Sequence, residues 1–165
     1  MKKVLFALAC LLACAVGGAK EKAPEVTDLG IVGEGIGNGS AAIVTATCSA
    51  KKADKVTDAD IARAAVRGVL FTGWTDKAGD AYIDSATKHP AVAGSADAEV
   101  QHADYFKAFF ESNAPMSYVT ILPDTRKVVK SGKVYKVSQT VTVNTSALKA
   151  KLQKDGVIKG LRSGW

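Results

Sequence analysis

The stretch that decides the fold reads Val134-Tyr135-Lys136-Val137-Ser138-Gln139-Thr140-Val141-Thr142-Val143. One face of it is apolar and holds Tyr135, Val137, Val141 and Val143. The other face is polar and holds Lys136, Ser138, Thr140 and Thr142. A period of two is typical of a β-strand that buries one face. We therefore expect residues 134–144 to form the central strand, with the other elements packed on its apolar face.

Two further strands are expected just before the central one. Residues 117–122 predict a strand that stops at Pro123, and residues 126–130 predict a second, shorter strand. Ser131 and Gly132 indicate a turn, because serine and glycine are frequent between paired strands. The shorter strand should therefore form a hairpin with the central one.

A glycine-rich stretch lies earlier in the chain and includes Gly33-Glu34-Gly35-Ile36-Gly37-Asn38-Gly39. A dinucleotide-binding loop of the form G-x-G-x-x-G would need glycine in place of Asn38, followed by a helix. Residues 41–50 instead alternate, with Val44, Ala46 and Cys48 on one face, which predicts a strand. We interpret the glycines as a glycine-rich strand, a bulge or a place of close backbone packing.

Capping residues and stop signals predict three helices, over residues 57–73, over residues 95–112, and from a cap at Thr145 or Ser146 to Gly156. Together with the strands they give the order β-α-α-β-β-β-α. This order predicts a two-layer α+β domain with a mainly antiparallel sheet, spanning residues 29–165.

The first 19 residues have the pattern of a secretory signal peptide. Met1-Lys2-Lys3 is basic and residues 4–16 are apolar, which is shorter than the roughly 20 residues of a spanning helix. One route is cleavage after Ala19. The other is a lipoprotein signal, since Leu11-Leu12-Ala13-Cys14 resembles a lipobox in which Cys14 is lipidated. Both routes predict an exported protein, in the periplasm or at the outer membrane or cell surface.

Residues 20–28 are polar and are expected to form a tether between the leader and the domain. Contact with a membrane is expected only through a lipid on Cys14. The mature domain retains Cys48, so no internal disulfide is expected although the compartment would permit one.

The formal net charge is +6 and the sequence pI is about 9.2. The densest basic stretch runs from Arg126 to Lys136. It has neither the interleaved stacking aromatics nor a known motif of a nucleic-acid-binding protein. We therefore expect no nucleic-acid partner. The basic stretch is interpreted as the solvated edge of a hairpin, where lysines block the addition of another strand.

Residues with reactive side chains do not form a recognisable catalytic or metal motif. Glu99 and His102 have the E-x-x-H spacing of di-iron sites, but those sites need two such motifs. The chain has two histidines and no G-x-S-x-G elbow. Cys48 should point into the core as a small hydrophobe. We expect no catalytic residue, cofactor or metal.

Four aromatic side chains on the second helix are expected in the core, namely Tyr105, Phe106, Phe109 and Phe110. A different group could contact a ligand or partner. The loop over residues 75–94 is longer than most and carries Tyr82 and His89, with Trp74 directly before it. Trp165, at the C-terminus, could dock on the domain or on a partner.

Three blocks of sequence resemble a family of small exported envelope proteins of Gram-negative gut bacteria. They are residues 64–71, residues 101–110, and residues 149–165 with Gly156-Val157-Ile158-Lys159-Gly160-Leu161. The resemblance implies an envelope protein and transfers no catalytic residue. More loosely, the layout is similar to small surface lipoproteins and to the N-terminal module of flagellar assembly protein T.

The favoured interpretation is a non-enzymatic exported envelope protein that acts through protein contacts or assembly, with an envelope protein as partner. An alternative is a small-ligand or glycan-binding module that uses the 75–94 loop with Trp74, Tyr82 and His89. A third is a hydrolase with an unrecognised site.

Overall fold

The strand expected at residues 134–144 forms, and it lies inside an antiparallel sheet. The computed structural model describes residues 25–75 and 87–159, apart from the side chain of Ser40. The strands of this sheet are β1 (Val26–Ile36), β2 (Ala42–Ala50), β5 (Val119–Ile121), β6 (Lys127–Ser131) and β7 (Val134–Val143). β7 pairs with β2 along one side and with β5 and β6 in succession along the other. This arrangement leaves β1 at one edge of the sheet and β5 and β6 at the other.

Four α-helices, a second, two-stranded sheet and three short 3-10 helices complete the described part of the chain. The α-helices and the strands of the second sheet are α1 (Asp58–Phe71), β3 (Trp74–Thr75), β4 (Lys88–His89), α2 (Asp97–Gln101), α3 (Ala103–Glu111) and α4 (Thr145–Lys154). One 3-10 helix, Ala114–Tyr118, takes the first two residues of the strand predicted over residues 117–122. None of the helices in the described ranges is both long and apolar enough to cross a membrane.

The first helix starts at a capping box. The Asp60 backbone N–H donates to Thr57 Oγ1 at 3.2 Å, and the Thr57 N–H donates back to the Asp60 carboxylate at 2.9 Å. These bonds satisfy backbone donors that have no partner within the helix. The predicted start at Thr57 is therefore confirmed.

The core lies between α1 and one face of the sheet. Ile61, Ala65 and Val69 of α1 are fully buried, as are Val137 and Val141 of β7. The opposite face of the sheet carries hydroxyl pairs at 2.9 Å, between Thr45 and Thr140 and between Thr47 and Ser138. The alternation read from the sequence thus separates an apolar, helix-covered face from a polar face.

Two glycines allow close approach of neighbouring elements to β1. A Cβ on Gly68 of α1 would lie 2.6 Å from the Ile31 side chain. A Cβ on Gly33 of β1 would lie 2.1 Å from the Thr75 carbonyl oxygen of β3. β1 is therefore packed against α1 and β3 at distances that only glycine permits.

The α+β class with an antiparallel sheet is confirmed, but the element order differs from the prediction at β1. The expected single strand before the first helix is a pair, β1 and β2, joined by a 3-10 turn at Asn38–Ser40. β1 shows no clean alternation because its pairing with β2 shifts register between Asp28 and Ile31 and again between Gly33 and Gly35. Since β1 begins at Val26, the last three residues of the predicted tether belong to the sheet.

The helix predicted over residues 95–112 is divided at His102, whose φ and ψ are −121° and 40°. Ala98, His102 and Phe106 would share one stripe of an unbroken helix. The His102 residue is itself partly buried, and its N–H still donates to the Ala98 carbonyl oxygen at 3.1 Å. The second half, α3, then buries Phe106 and Phe109.

Two predicted helix caps are wrong. α2 has Ala96 rather than Ser95 at its N-cap and no side-chain cap. α4 is capped by Asn144, whose side-chain oxygen accepts from the Ala147 N–H at 2.9 Å, one residue before the expected Thr145 or Ser146. Asparagine is a strong N-cap residue.

Candidate functional site

The structure brings together two of the predicted contact residues, Trp74 and His89. They face each other across the β3–β4 pair, with ring centroids 4.6 Å apart and ring planes 15° apart. The 75–94 loop therefore closes at its base into a short hairpin. Tyr82, Trp165 and Cys14 lie outside the described residues.

Trp74 retains one unsatisfied polar atom. Its indole Nε1 is buried, and no hydrogen-bond acceptor for it is found among the described residues. His89 is half-buried and does have an interaction partner. The stack thus uses one face of each ring and leaves a buried indole donor.

The E-x-x-H pair does not form a metal-binding arrangement. Glu99 lies on α2, where its carboxylate accepts from the Arg67 guanidinium at 2.6 Å, whereas His102 lies at the helix break. Within residues 25–75 and 87–159, no group of three His, Cys, Asp or Glu side chains could hold a metal ion.

Cys48 points into the core, as predicted, and is 1% exposed. Burial raises the pKa of its thiol to about 12, and the nearby carboxylates of Asp28 and Asp60 act in the same direction. The thiol donates to the Asp60 carbonyl oxygen at 3.7 Å. A protonated thiol is a poor nucleophile, so Cys48 is a packing residue at neutral pH.

The aromatic cluster on α3 also belongs to the core. Phe106 and Phe109 are buried, and Tyr105 and Phe110 pack against the core while partly exposed. The Phe106 ring meets the Phe71 ring edge to face at 4.8 Å. The predicted role of these four side chains in packing is confirmed.

A cleft of about 570 Å³ separates α1 from α3, with Phe106 and Phe110 at its apolar side. Its rim mixes both signs of charge, from Arg63, Arg67, Lys107, Glu99 and Glu111. Arg67 is already bonded to Glu99 and lies 6.0 Å from the centroid of the Phe110 ring. Two of the charges at the rim, those of Arg67 and Glu99, are therefore already paired with each other.

The β6 edge, which we define as Lys127-Val128-Val129-Lys130-Ser131, is different because all five residues are exposed. Val128 is 51% exposed and Val129 60% exposed. Large apolar side chains exposed on both faces of an edge strand are a liability, since such strands are templates for pairing with another chain. These two valines are the functional candidates that the sequence reading missed.

Backbone hydrogen-bonding groups are also available along the β6 edge. A two-residue turn at Gly132 and Lys133 joins β6 to β7, and the positive φ of Gly132, 62°, suits its first position. In such a hairpin the residues that flank the turn bond to each other, and bonded pairs then alternate along the strands. It follows that Val128 and Lys130 direct their backbone N–H and C=O groups away from β7.

The charge around this edge is of one sign. Lys127, Lys130, Lys133 and Lys136 are all exposed, and none forms an ion pair within the described part of the chain. Arg126 is instead committed to the fold: it donates to Asp58 at 3.3 Å, to the buried Gln139 at 3.0 Å and to the Val56 carbonyl oxygen. The edge is therefore a regular strand held at its base by Arg126 and surrounded by four cations without an ion pair in the described ranges, of which Lys130 also lies 5.8 Å from the centroid of the Tyr135 ring.

The other edge of the sheet, β1, also exposes apolar side chains, Leu29, Val32 and Ile36. Its backbone, however, is irregular. The Gly30 N–H donates to the Asp28 carboxylate at 2.7 Å, and Gly30 has a φ of 97°. These features bend β1 and make it a poor template for a further strand.

Comparisons with known proteins add no identification, since the chain matches no protein-family model, no curated protein and no solved structure. The resemblance to exported envelope proteins therefore remains a prediction.

Proposed function

We propose that this protein is a non-enzymatic exported protein of the cell envelope that acts through protein contacts, and that the β6 edge is its contact surface. The observation that carries the proposal is the exposure of all five residues of a regular edge strand, including two adjacent valines. Export is supported by the basic and apolar pattern of residues 1–19.

Lysines on an edge strand also have a protective role, and the basic composition of this stretch by itself predicts that role. The lysine charges disfavour pairing of β6 with an uncharged or basic strand, but they favour pairing with an acidic strand. The two valines indicate contact rather than protection, because a purely protective edge gains nothing from apolar side chains in water. Exposed apolar groups beside polar ones are typical of interaction sites.

A site-specific photo-cross-linking experiment tests the proposal. p-Benzoylphenylalanine would replace Val129 in one variant and Lys149, an exposed residue of α4, in a matched control. In cells, we expect a discrete cross-linked protein from position 129 that is absent from position 149. Equal patterns from the two positions would contradict the proposal, and mass spectrometry of the N-terminus of the cross-linked chain would test export.

A second candidate function, binding of a small ligand or glycan at the 75–94 loop, is favoured by the buried Trp74 Nε1 without an acceptor among the described residues. A sugar hydroxyl could accept from that indole. Titration with N-acetylglucosamine and galactose oligomers should then change tryptophan fluorescence in the native chain and not in Trp74→Phe. No change in either chain would remove this candidate.

A further inference from the structure

We propose that the β6 edge binds an extended segment of its partner as an added antiparallel strand, and that this segment reads acidic, apolar, apolar, acidic. The inference rests on the proposed function and specifies its partner chemistry. Its basis is the K-V-V-K sequence of residues 127–130 in unbroken register with β7.

The register of β6 places one cation and one apolar side chain on each face of the sheet. Val128 and Lys130 lie opposite Val137 and Tyr135, on the helix-covered face. Lys127 and Val129 lie on the polar face, because successive residues of a strand point to opposite sides.

Residues directly opposite each other in an antiparallel pair also share a face. An added strand with acids opposite Lys127 and Lys130, and apolar residues opposite Val128 and Val129, would therefore pair favourably at all four positions. The free backbone groups of Val128 and Lys130 would supply the ladder hydrogen bonds.

A second copy of this chain is a poor occupant of the edge. No antiparallel register of β6 with itself places an acid opposite Lys127 or Lys130, because residues 126–136 contain no acid, and two edges of the same positive charge repel each other. A membrane is also a poor fit, since Lys127 and Lys130 lie on opposite faces of the sheet and cannot both face one planar anionic surface. An acidic protein segment can reach both lysines.

Two peptides of equal composition test the proposal on the whole chain. One has the core Glu-Val-Val-Glu, and the other has the core Val-Glu-Glu-Val, which sets acids opposite the valines. We expect the first to bind about tenfold more tightly, a difference of the size that two favourable cross-strand pairs supply. Equal affinity for the two peptides would overturn the strand register.

Amide hydrogen exchange separates strand addition from simple charge attraction. With the Glu-Val-Val-Glu peptide at ten times its Kd, exchange of the Val128 and Lys130 amides should slow by about tenfold. Binding without this protection would show an electrostatic contact only, and would contradict strand addition.

A charge-swap variant completes the test. Lys127→Glu combined with Lys130→Glu should lose the acidic peptide and bind a peptide with the core Lys-Val-Val-Lys. The control, Lys149→Glu with Lys159→Glu, has the same net charge and should bind as the native chain does. Retained binding of the acidic peptide by the charge-swap variant would overturn the proposal, and gain of the basic peptide shows that this variant is folded.

The outcomes distinguish the inference from the function on which it rests. If neither peptide binds but the cross-link at position 129 persists, the contact surface stands and the acidic-strand chemistry is wrong. Self-association of the native chain in sedimentation, or binding of vesicles rich in anionic lipid without peptide binding, would identify a different occupant. Loss of the cross-link would overturn the proposed function itself.

Discussion

At one edge of the sheet, β1 runs for 11 residues, its pairing with β2 shifts register twice, and it packs closely on β3. At the other edge, β6 runs for five residues in unbroken register with β7, and all five are exposed. Both edges expose large apolar side chains. β1 is protected by the shape of its backbone, which no partner can change. The lysines of β6 protect it by their charge, and a partner of the opposite charge would remove this protection. The β1 edge exposes more large apolar residues than β6, yet its irregular backbone makes it less able to pair with another strand.

The largest expected effect comes from removing the close approach that covers β1. In Gly33→Ala the new Cβ would lie 2.1 Å from the Thr75 carbonyl oxygen, and a backbone atom cannot move aside cheaply. We expect a loss of about 3 kcal/mol in the free energy of unfolding, at the upper end of overpacking costs. Urea denaturation measures it. Gly35→Ala is the matched control, because a Cβ there meets nothing within 4 Å, and an equal loss in both variants would show that β3 does not fix β1.

The base of β6 should be the next most sensitive position. Arg126→Ala leaves the buried Gln139 side chain and the Val56 carbonyl without their guanidinium donor. We expect a loss of about 1–2 kcal/mol, the cost of an unsatisfied buried polar group.

Lys127→Ala, one residue further along, is the control for Arg126→Ala. Its side chain is exposed and unpaired within the described residues, so unfolding should change by less than about 0.5 kcal/mol. Comparable losses in the two variants, again by urea denaturation, would mean that the exposed edge contributes to the fold and is not free for a partner.

The pH dependence of the free energy of unfolding tests how well Cys48 is packed at the β1 side of the sheet. It lies opposite Asp28 of β1, and its folded-state pKa is raised from about 9 to about 12. The unfolded thiol therefore loses its proton at a lower pH than the folded one, so stability is retained below pH 9 and falls as the pH rises from 9 towards 12. The slope cannot exceed about 1.4 kcal/mol per pH unit for one proton.

Urea unfolding under reducing conditions at pH 8 and pH 10 measures this dependence. The slope between the two pH values should be smaller in Cys48→Ala than in the native chain. If the slope of stability against pH is the same in Cys48→Ala and in the native chain, the Cys48 thiol reaches solvent without global unfolding. That result would mean that β1 separates readily from β2.

Local patterns in the sequence were sufficient for β7, β2 and α1. Each carries its signal within itself: a period of two in β7 and β2, and the capping box of Thr57 and Asp60 in α1. A glycine-rich strand is one of the interpretations of the β1 stretch, but it is not counted in the predicted element order, because its glycines contribute no side-chain pattern to the pairing with β2. The break at His102 has no local signal either, since residues 97–111 contain no glycine or proline.

The candidate site was only half predictable. The sequence marks the basic stretch from Arg126 to Lys136, but it does not show that the far side of β6 is an edge, since strand order is a property of the whole sheet. It also does not show that Arg126 faces inward to Gln139 while Lys127 remains free. The pairing of Trp74 with His89 joins positions separated by most of the 75–94 loop, which no local pattern indicates.

The variant with the smallest expected effect on stability tests most directly whether the lysine charges keep β6 from pairing with another strand. Lys127→Thr combined with Lys130→Thr keeps β-propensity and the exposed valines but removes the two charges that keep like strands apart. Because both side chains are exposed, unfolding should change by less than about 0.5 kcal/mol, whereas sedimentation should show concentration-dependent self-association. The control, Lys149→Thr with Lys159→Thr, removes the same charge elsewhere and should stay as the native chain does. If the β6 variant sediments as the native chain does, the two lysines are not what keeps this edge unpaired, and protection of β6 by charge would be wrong.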